Sequence, residues 1–390
     1  MPSLRLAPAS TSDFRNLAER RLPRQLFDYV DGGAYGENTL RANVDDFQKL
    51  RLRQRVMRDV SKLDTSVDLF GTQLAMPLAL APVGLGGMMA RRAEVQAKRA
   101  ADARAVPFCL STVALCPVDE VAAVSPTPFW FQLYMLRDRG AVKEILDRAK
   151  AAGVKTLVFT VDVAILGTRY RDIRNGLSGE VSGWGKLRSG PLSYLLHPDW
   201  TYDVGVKGKP HTFGNLEKYV PDAKTPADFA AWITSQIDAS VTWKDIEWLR
   251  SVWEGDLVIK GVLTPEDAQE AVNAGADGVI VSNHGGRQLD GVSSSIEALP
   301  RIAEAVGDRT AVLMDGGVRS GLDVVKAVAS GARAVLIGRP WIYALAARGE
   351  PGLVAILKNF EAEMKVAMSL TGARHVGEIT REILDVSSRD

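Results

Sequence analysis

The chain has 390 residues, 46% hydrophobic and 24% charged, which fits one large α/β unit with insertions and excludes a small or disordered chain. Its 48 basic and 47 acidic residues leave a net charge of +1, so composition offers no basic surface and no nucleic-acid partner is expected. The two cysteines, Cys109 and Cys116, lie in apolar stretches without CxxC spacing or nearby histidines, so neither a disulfide framework nor a metal site is expected and a reducing, cytoplasmic setting fits.

The first residues, 1–12, lack the apolar run of a signal peptide. The most apolar window, Met76 to Ala90, is too short and too rich in Gly and Pro to span a bilayer. A soluble chain, or one held at a membrane surface, is expected. A helix is predicted over Thr11 to Leu22, with Ser12 or Asp13 as N-cap and Phe14, Leu17 and Ala18 on one face. After Pro23, Gln25 to Gly33 reads as an amphipathic turn or two closed by a glycine pair, and Tyr29 within it reads first as core. These elements form an N-terminal helical extension over 1–70.

From residue 76 a rhythm begins. Buried-strand patterns recur at Pro77 to Ala81, Phe108 to Ser111, Phe129 to Tyr134, Thr156 to Thr160, Leu257 to Lys260, Val279 to Ser282, Ala311 to Met314 and Ala334 to Ile337. Helical segments lie between most of them, among them Arg92 to Ala105, Ala141 to Ala152 and Pro265 to Ala274. The last has Thr264 as N-cap, Pro265 at the first helical position and Gly275 past its end. Eight strands alternating with helices predict a (β/α)8 TIM barrel over the whole chain, with an open doubly wound sheet as the competing arrangement.

A barrel demands polar residues at the carboxyl ends of its strands, and the sequence supplies them. Ser111 and Thr112 end the second strand, Gln132 and Tyr134 the third, Thr160 and Asp162 the fourth, Lys260 the fifth, His284 the sixth, Asp315 the seventh and Arg339 the eighth. Between strands four and five a long insertion, 172–240, carries Trp184, Lys186, Leu187, Arg188, Leu192, Tyr194, Leu195, Leu196, Trp200 and Tyr202. Apolar and aromatic residues beside basic ones fit either a lid over the pocket or a peripheral membrane contact through 180–202. Helices are predicted over Thr225 to Ser240 and Trp243 to Trp253.

The richest stretch is Gly278 to Asp290. A β-branched run, Val279, Ile280 and Val281, gives way at once to Ser282, Asn283, His284, Arg287, Gln288 and Asp290, with Gly285 and Gly286 to let the backbone turn. A polar loop with a capping histidine is the plain reading of a lone His. An imidazole three residues from a guanidinium at a strand end is better read as a base beside an anion clamp. Farther on, Asp315-Gly-Gly-Val-Arg-Ser320 and Gly338-Arg-Pro340 each precede a helix, so backbone amides with Arg319 and Arg339 make a phosphate site after strands seven and eight. The glycine spacing is not the dinucleotide fingerprint.

These motifs resemble, over nearly the whole chain, the FMN-dependent L-2-hydroxy-acid oxidase and dehydrogenase family. Ser282-Asn-His-Gly-Gly-Arg-Gln-Leu-Asp290 is similar to its signature, and Val258 to Gly261, Phe131 to Tyr134, Thr160 to Asp162 and Asp315 to Arg319 match its other landmarks in order. Within it, Asp31 to Tyr35 and Met364 to Met368 look most like the respiratory L-lactate dehydrogenases of bacteria.

The resemblance implies FMN as cofactor and His284 as base, oriented by Asp162. Arg287 and Arg169 would hold the substrate carboxylate with help from Tyr29, Tyr134 would bond the substrate oxygen, and Lys260 would stand by the flavin ring. Pro82, Val83, Gly84, Ser111, Gln132, Thr160 and Ser282 would surround the isoalloxazine. Asp315, Gly316, Gly317, Arg319, Gly338 and Arg339 would take the ribityl chain and phosphate.

The implied reaction is oxidation of L-lactate to pyruvate, with electrons passed to a quinone or another carrier, by a homotetramer at the inner face of the cytoplasmic membrane. Gly84, Val113 and the Val163-Ala164-Ile165 turn depart from parts of the family and keep a mandelate or other bulky 2-hydroxy-acid dehydrogenase, or an oxygen-using oxidase, as alternatives. A non-catalytic flavin- or phosphate-binding barrel is the alternative from another class.

Overall fold

The computed structural model describes residues 7–177, 191–220, 232 and 234–385. The chain starts with three helices, α1 (Thr11–Arg21), α2 (Arg24–Asp31) and α3 (Asn38–Lys49). The N-cap of α1 is Ser10, not Ser12 or Asp13. Ser10 accepts the Asp13 N–H at 3.3 Å and Asp13 accepts the Ser10 N–H at 3.2 Å, a capping box that puts Ser12 and Asp13 inside the first turn. The buried residues of α3 include Thr39, Asn43 and Phe47, one turn apart, so a polar side chain faces inward between two others.

All eight expected strands form: β1 (Leu78–Leu80), β2 (Cys109–Ser111), β3 (Trp130–Leu133), β4 (Thr156–Thr160), β5 (Asp256–Val262), β6 (Gly278–Val281), β7 (Ala311–Asp315) and β8 (Ala334–Ile337). They pair in parallel in the order β1-β8-β7-β6-β5-β4-β3-β2, and a parallel bridge from Leu80 to Phe108 joins the two ends. The sheet is a closed barrel, not the competing open sheet.

Strand residues alternate between two apolar clusters. Ala79, Cys109, Trp130, Val158, Val258, Ile280, Leu313 and Leu336 belong to one. Leu80, Leu110, Phe131, Leu157, Phe159, Ile259, Val281, Met314 and Ile337 join the helices in the other. That period of two, with both sets buried, is what strands between a filled interior and a helical coat require.

The amino end of the barrel is covered by an antiparallel hairpin, Val67–Leu69 and Thr72–Leu74, whose Val67, Leu69 and Leu74 join the interior cluster. Phe70 at its turn meets Trp130 edge-on, with centroids 6.1 Å apart. At the other end, helices follow the strands, including Ala93–Ala103, Arg139–Ala151, Ser295–Val306 and Gly321–Ala329. The helix Pro265–Asn273 has the expected Thr264 cap, which accepts from the Asp267 N–H. The last helical run, Arg339–Thr371, breaks at Arg348 and Gly349.

Within the insertion, Trp200 is buried and donates its indole N–H to the Met88 carbonyl at 2.8 Å, while Val204 is also buried. This part packs on the barrel. Trp184, Lys186, Leu187 and Arg188 lie outside the described residues. Of the helix expected over Thr225 to Ser240, 225–231 and 233 lie outside the described residues, and the helical backbone ends at Gln236. Ile237 is instead held against Leu136, through Arg137 N–H to the Gln236 carbonyl at 2.9 Å and Asp238 N–H to the Met135 carbonyl at 3.0 Å. Helix formation resumes at Trp243–Val252.

Candidate active site

Past the end of β6, Ser282 is wholly buried, and its hydroxyl oxygen accepts from Lys260 Nζ at 2.9 Å and from the His284 N–H at 3.0 Å. His284, Gly285 and Gly286 then take φ of +57°, +64° and +73° in succession. Glycine tolerates that region freely and histidine does not. The turn swings the imidazole toward the end of β4, where Nδ1 lies 2.8 Å from Asp162 Oδ1. A carboxylate can only accept, so Nδ1 carries the proton and Nε2 is left with its lone pair.

Burial pushes the His284 pKa below the ordinary histidine value, against the pull of Asp162. Burial also opposes the charge on Asp162, but His284 and the Lys260 ammonium outweigh it and hold the carboxyl below its usual range. A neutral imidazole against an ionised carboxylate is a proton acceptor held ready near neutral pH.

Beyond the turn, Arg287 donates Nη1 to the carbonyl oxygens of Tyr29 at 2.5 Å and Gly32 at 2.8 Å, with its guanidinium carbon 4.9 Å from the Tyr29 ring centroid. Arg169 reaches in from the β4 side and donates Nε to the Arg287 carbonyl at 3.3 Å. Burial, then the neighbouring Arg287 charge, lowers the Arg169 pKa to about 10. Two guanidiniums crowded into a buried corner favour an anion between them. Burial keeps the Tyr134 phenol protonated well above its ordinary range, with Asp162 adding to the effect. Gln288 braces the β4 loop, donating to the carbonyls of Asp162 and Ile165 at 2.8 Å each and accepting the Gly167 N–H at 3.0 Å.

The other half of the cleft is built from β5, β7 and β8. Lys260 Nζ lies 2.9 Å from Asp315 Oδ2; burial opposes its charge, but Asp315 and Asp162 prevail and raise its pKa. Gly316 and Gly317 follow with φ of +92° and +91°, and a Cβ on Gly317 would fall 1.9 Å from the Asn43 carbonyl oxygen. Arg339 donates Nη1 to the Gly285 carbonyl at 3.0 Å and Nη2 to the Gly32 carbonyl at 2.8 Å. Burial lowers its pKa to about 9 and also lowers that of Arg319. Among the described residues neither Arg319 nor Arg339 forms an ion pair.

One cleft of about 1410 Å³, counted out to its opening, is lined by Tyr29, Tyr134, Arg169, His284 and Arg287 on one side. Pro82, Val83, Gly84, Thr160, Lys260, Asp315, Gly316, Gly317, Arg319, Gly338 and Arg339 line the rest. Ser111, Gln132, Asp162 and Ser282 do not line the cleft. They stand behind it, with Gln132 Oε1 accepting the Ser111 hydroxyl at 2.9 Å.

Several buried atoms have no partner: Asp315 Oδ1, Gln132 Nε2, Arg339 Nε and Asp162 Oδ2. Acceptor and donor capacity at one end, unpaired buried cations at the other and a glycine cradle between suit a flat polar ring on a hydroxylated, phosphorylated tail.

Sequence reasoning missed Phe213 and Ile237, which line the cleft from the insertion, and Asn43, which supports it from behind. For Phe213 and Ile237 no local pattern points inward. Asn43 did leave a signal, a polar residue on the buried stripe of an amphipathic helix.

A model of a family described as FMN-dependent dehydrogenase matches residues 18–386. The chain is 58% identical over 376 residues to an L-lactate dehydrogenase of Caulobacter vibrioides, covering 96% of this chain and 97% of that one. It is 54% identical over 380 residues to an L-lactate dehydrogenase of Chromohalobacter salexigens, covering 97% and 96%. Among solved structures, the monotopic membrane protein (S)-mandelate dehydrogenase superposes with a TM-score of 0.90 at 35% identity, covering 97% of this chain and 99% of that one. A mandelate oxidase with (S)-4-hydroxymandelic acid gives 0.83 at 36% identity, covering 97% and 98%.

Proposed function

The chain belongs to the FMN-dependent dehydrogenase family, and on that premise we propose that it oxidises L-lactate to pyruvate and passes the electrons to a quinone or another carrier in preference to oxygen. The observation that carries this reading is the convergence of His284, Arg169 and Arg287 on one wall of a cleft whose floor is fitted for FMN.

FMN, when bound, supplies the acceptor for the two electrons that leave the substrate carbon. The rest is the work of side chains. Arg169 and Arg287 bind the carboxylate, which fixes the hydroxyl-bearing carbon relative to His284. His284 Nε2 takes one of the two protons that the alcohol loses, the other going with the two electrons to the flavin, and the ionised Asp162 stabilises the resulting imidazolium through Nδ1–H. Tyr134, held protonated, donates to the substrate oxygen.

Lys260 would stand beside the bound flavin, where its ammonium would favour negative charge on the ring. Asp315, with an unused oxygen, would take ribityl hydroxyls, and Gly316, Gly317, Arg319, Gly338 and Arg339 would take the phosphate. Pro82, Val83, Gly84 and Thr160 would face the ring, with Ser111, Gln132 and Ser282 behind them.

The test is anaerobic mixing of the yellow protein with L-lactate. Bleaching of the flavin is expected, and flavin that stays oxidised overturns the reading. L-mandelate belongs in the same experiment, because a second cavity adjoins the cleft and shares Tyr134, Thr160, Val163 and Ile237 with it. That added room favours bulkier 2-hydroxy acids as a second reading, and faster reduction by L-mandelate selects it.

A peripheral membrane contact is part of the proposal. Ile165, Leu195 and Leu196 are 79%, 77% and 71% exposed, and Tyr202 carries the Lys207 ammonium 4.5 Å from its ring centroid. Among the described residues no helix is long and apolar enough to cross a membrane, so the contact would be interfacial. Leu195→Asp with Leu196→Asp is expected to release the protein from anionic vesicles in a flotation assay, and unchanged flotation removes the contact.

A further inference from the structure

Three successive residues with positive φ, His284 to Gly286, need external support, because the histidine among them sits above its backbone minimum. The support reaches across from α3. The amides of Asn43 and Asn283 face each other in a reciprocal pair, each donating an N–H to the other's oxygen at 2.8 Å. Asn283 Oδ1 also accepts the Gly286 N–H at 3.0 Å, and its Nδ2 donates to the Ser293 carbonyl at 3.1 Å. Asn43 Oδ1 accepts the Ser295 N–H at 3.1 Å, while the Asn43 main-chain carbonyl lies against Gly317. One residue of the N-terminal extension therefore bears on both the loop with the imidazole and the loop after β7. It is 1% exposed and lines no part of the cleft.

We propose that Asn43 is a positioning residue for His284: by fixing which way the Asn283 amide points, it holds the left-handed turn that aims the imidazole at Asp162 and the substrate. This rests on His284 acting as the base. The direction of the Asn283 amide matters because, of its two ends, only the oxygen can join the Asn283 main-chain carbonyl in accepting the Gly286 N–H; reversed, the amide sets a donor against a donor. Asn43 opposes that reversal from both sides, accepting from Asn283 Nδ2 and donating to Asn283 Oδ1.

Two variants test this, both saturated with FMN and compared with the unmodified protein. Asn43→Ala removes the pair. Asn43→Asp keeps the shape and the acceptor for the Ser295 N–H but sets a carboxylate oxygen against Asn283 Oδ1. In both, anaerobic flavin reduction by L-lactate is expected to slow by roughly ten- to a hundredfold, while the affinity for oxalate changes by less than about threefold. Oxalate can be gripped by Arg169 and Arg287 but has no hydrogen on carbon to give up. Hydrogen exchange across residues 282–287 is expected to speed up in both variants, with or without FMN.

Reduction within about threefold of the unmodified rate in both variants, or a loss of oxalate affinity as large as the loss of rate, overturns the proposal. Should the unmodified protein itself not be reduced by a 2-hydroxy acid, the functional reading fails instead, and the exchange comparison still decides whether Asn43 holds the turn.

Discussion

At the amino end of the barrel, Phe70 packs edge-on against Trp130 and the hairpin's Val67, Leu69 and Leu74 merge with the interior. At the carboxyl end, Asp162, Asp315, Gln132, Ser295 and Arg339 each keep a buried polar atom without a partner. An unpaired buried polar group costs about 1–3 kcal/mol, so a ligand that pairs these atoms gains by removing that cost. The closed end contributes stability, and the open end withholds bonding capacity that a ligand can use. The same strands run between them, which is why a barrel can carry both without either spoiling the other.

The largest effect that would sharpen this contrast is at the base. His284→Ala should lower turnover by roughly a thousandfold while the protein stays yellow, because the imidazole bonds Asp162 and not the proposed phosphate or ribityl positions. Steady-state rates and the visible spectrum check it, and near-normal turnover would break the assignment.

Next comes Arg339→Met, which removes a buried cation with an unused donor. FMN affinity should weaken by about ten- to a hundredfold in a fluorescence titration.

At the closed end, Phe70→Ala should cost about 2 kcal/mol and lower Tm without changing kcat/KM or FMN affinity. A kinetic effect there would mean that the two ends are not separable.

The smallest effect is in pH. If His284 is the base, as proposed, its working form is neutral; burial depresses its pKa, so kcat/KM should hold from neutral into mildly acid solution and fall only as pH drops through that lowered pKa. Asp162→Asn removes the group that pulls the His284 pKa upward, so the acid limb should move to still lower pH, with a reduced plateau. A limb that moves upward would contradict the pairing.

Much of the barrel was legible because its strands are buried on both faces and therefore read as short apolar runs, of which Thr156 to Thr160 and Ala334 to Ile337 keep their expected limits. Many of the strand-end residues were legible too: Asp162, His284, Asp315 and Arg339 sit one or two positions past such a run and Thr160 and Lys260 close one, while Arg169 and Arg287 lie farther along their loops. What escaped depends on distance. Ser10, Ser12 and Asp13 are all competent caps, and only the three-dimensional exchange of hydrogen bonds selects Ser10. Ile237 leaves the helical pattern because Leu136, a hundred residues away, offers its backbone. Asn43 pairs with Asn283 across 240 positions, which no window of sequence spans.

One carbonyl joins matters that chemistry would otherwise keep apart. The Gly32 oxygen accepts from Arg287, proposed to hold the substrate, and from Arg339, proposed to hold the cofactor's phosphate. A mutation that shifts this peptide by a fraction of an ångström must change how tightly the acid is held and how well the flavin is retained at once. Selection for a new acid at this position therefore drags flavin retention with it, and a variant library scored on one trait alone will misjudge residues 29–32.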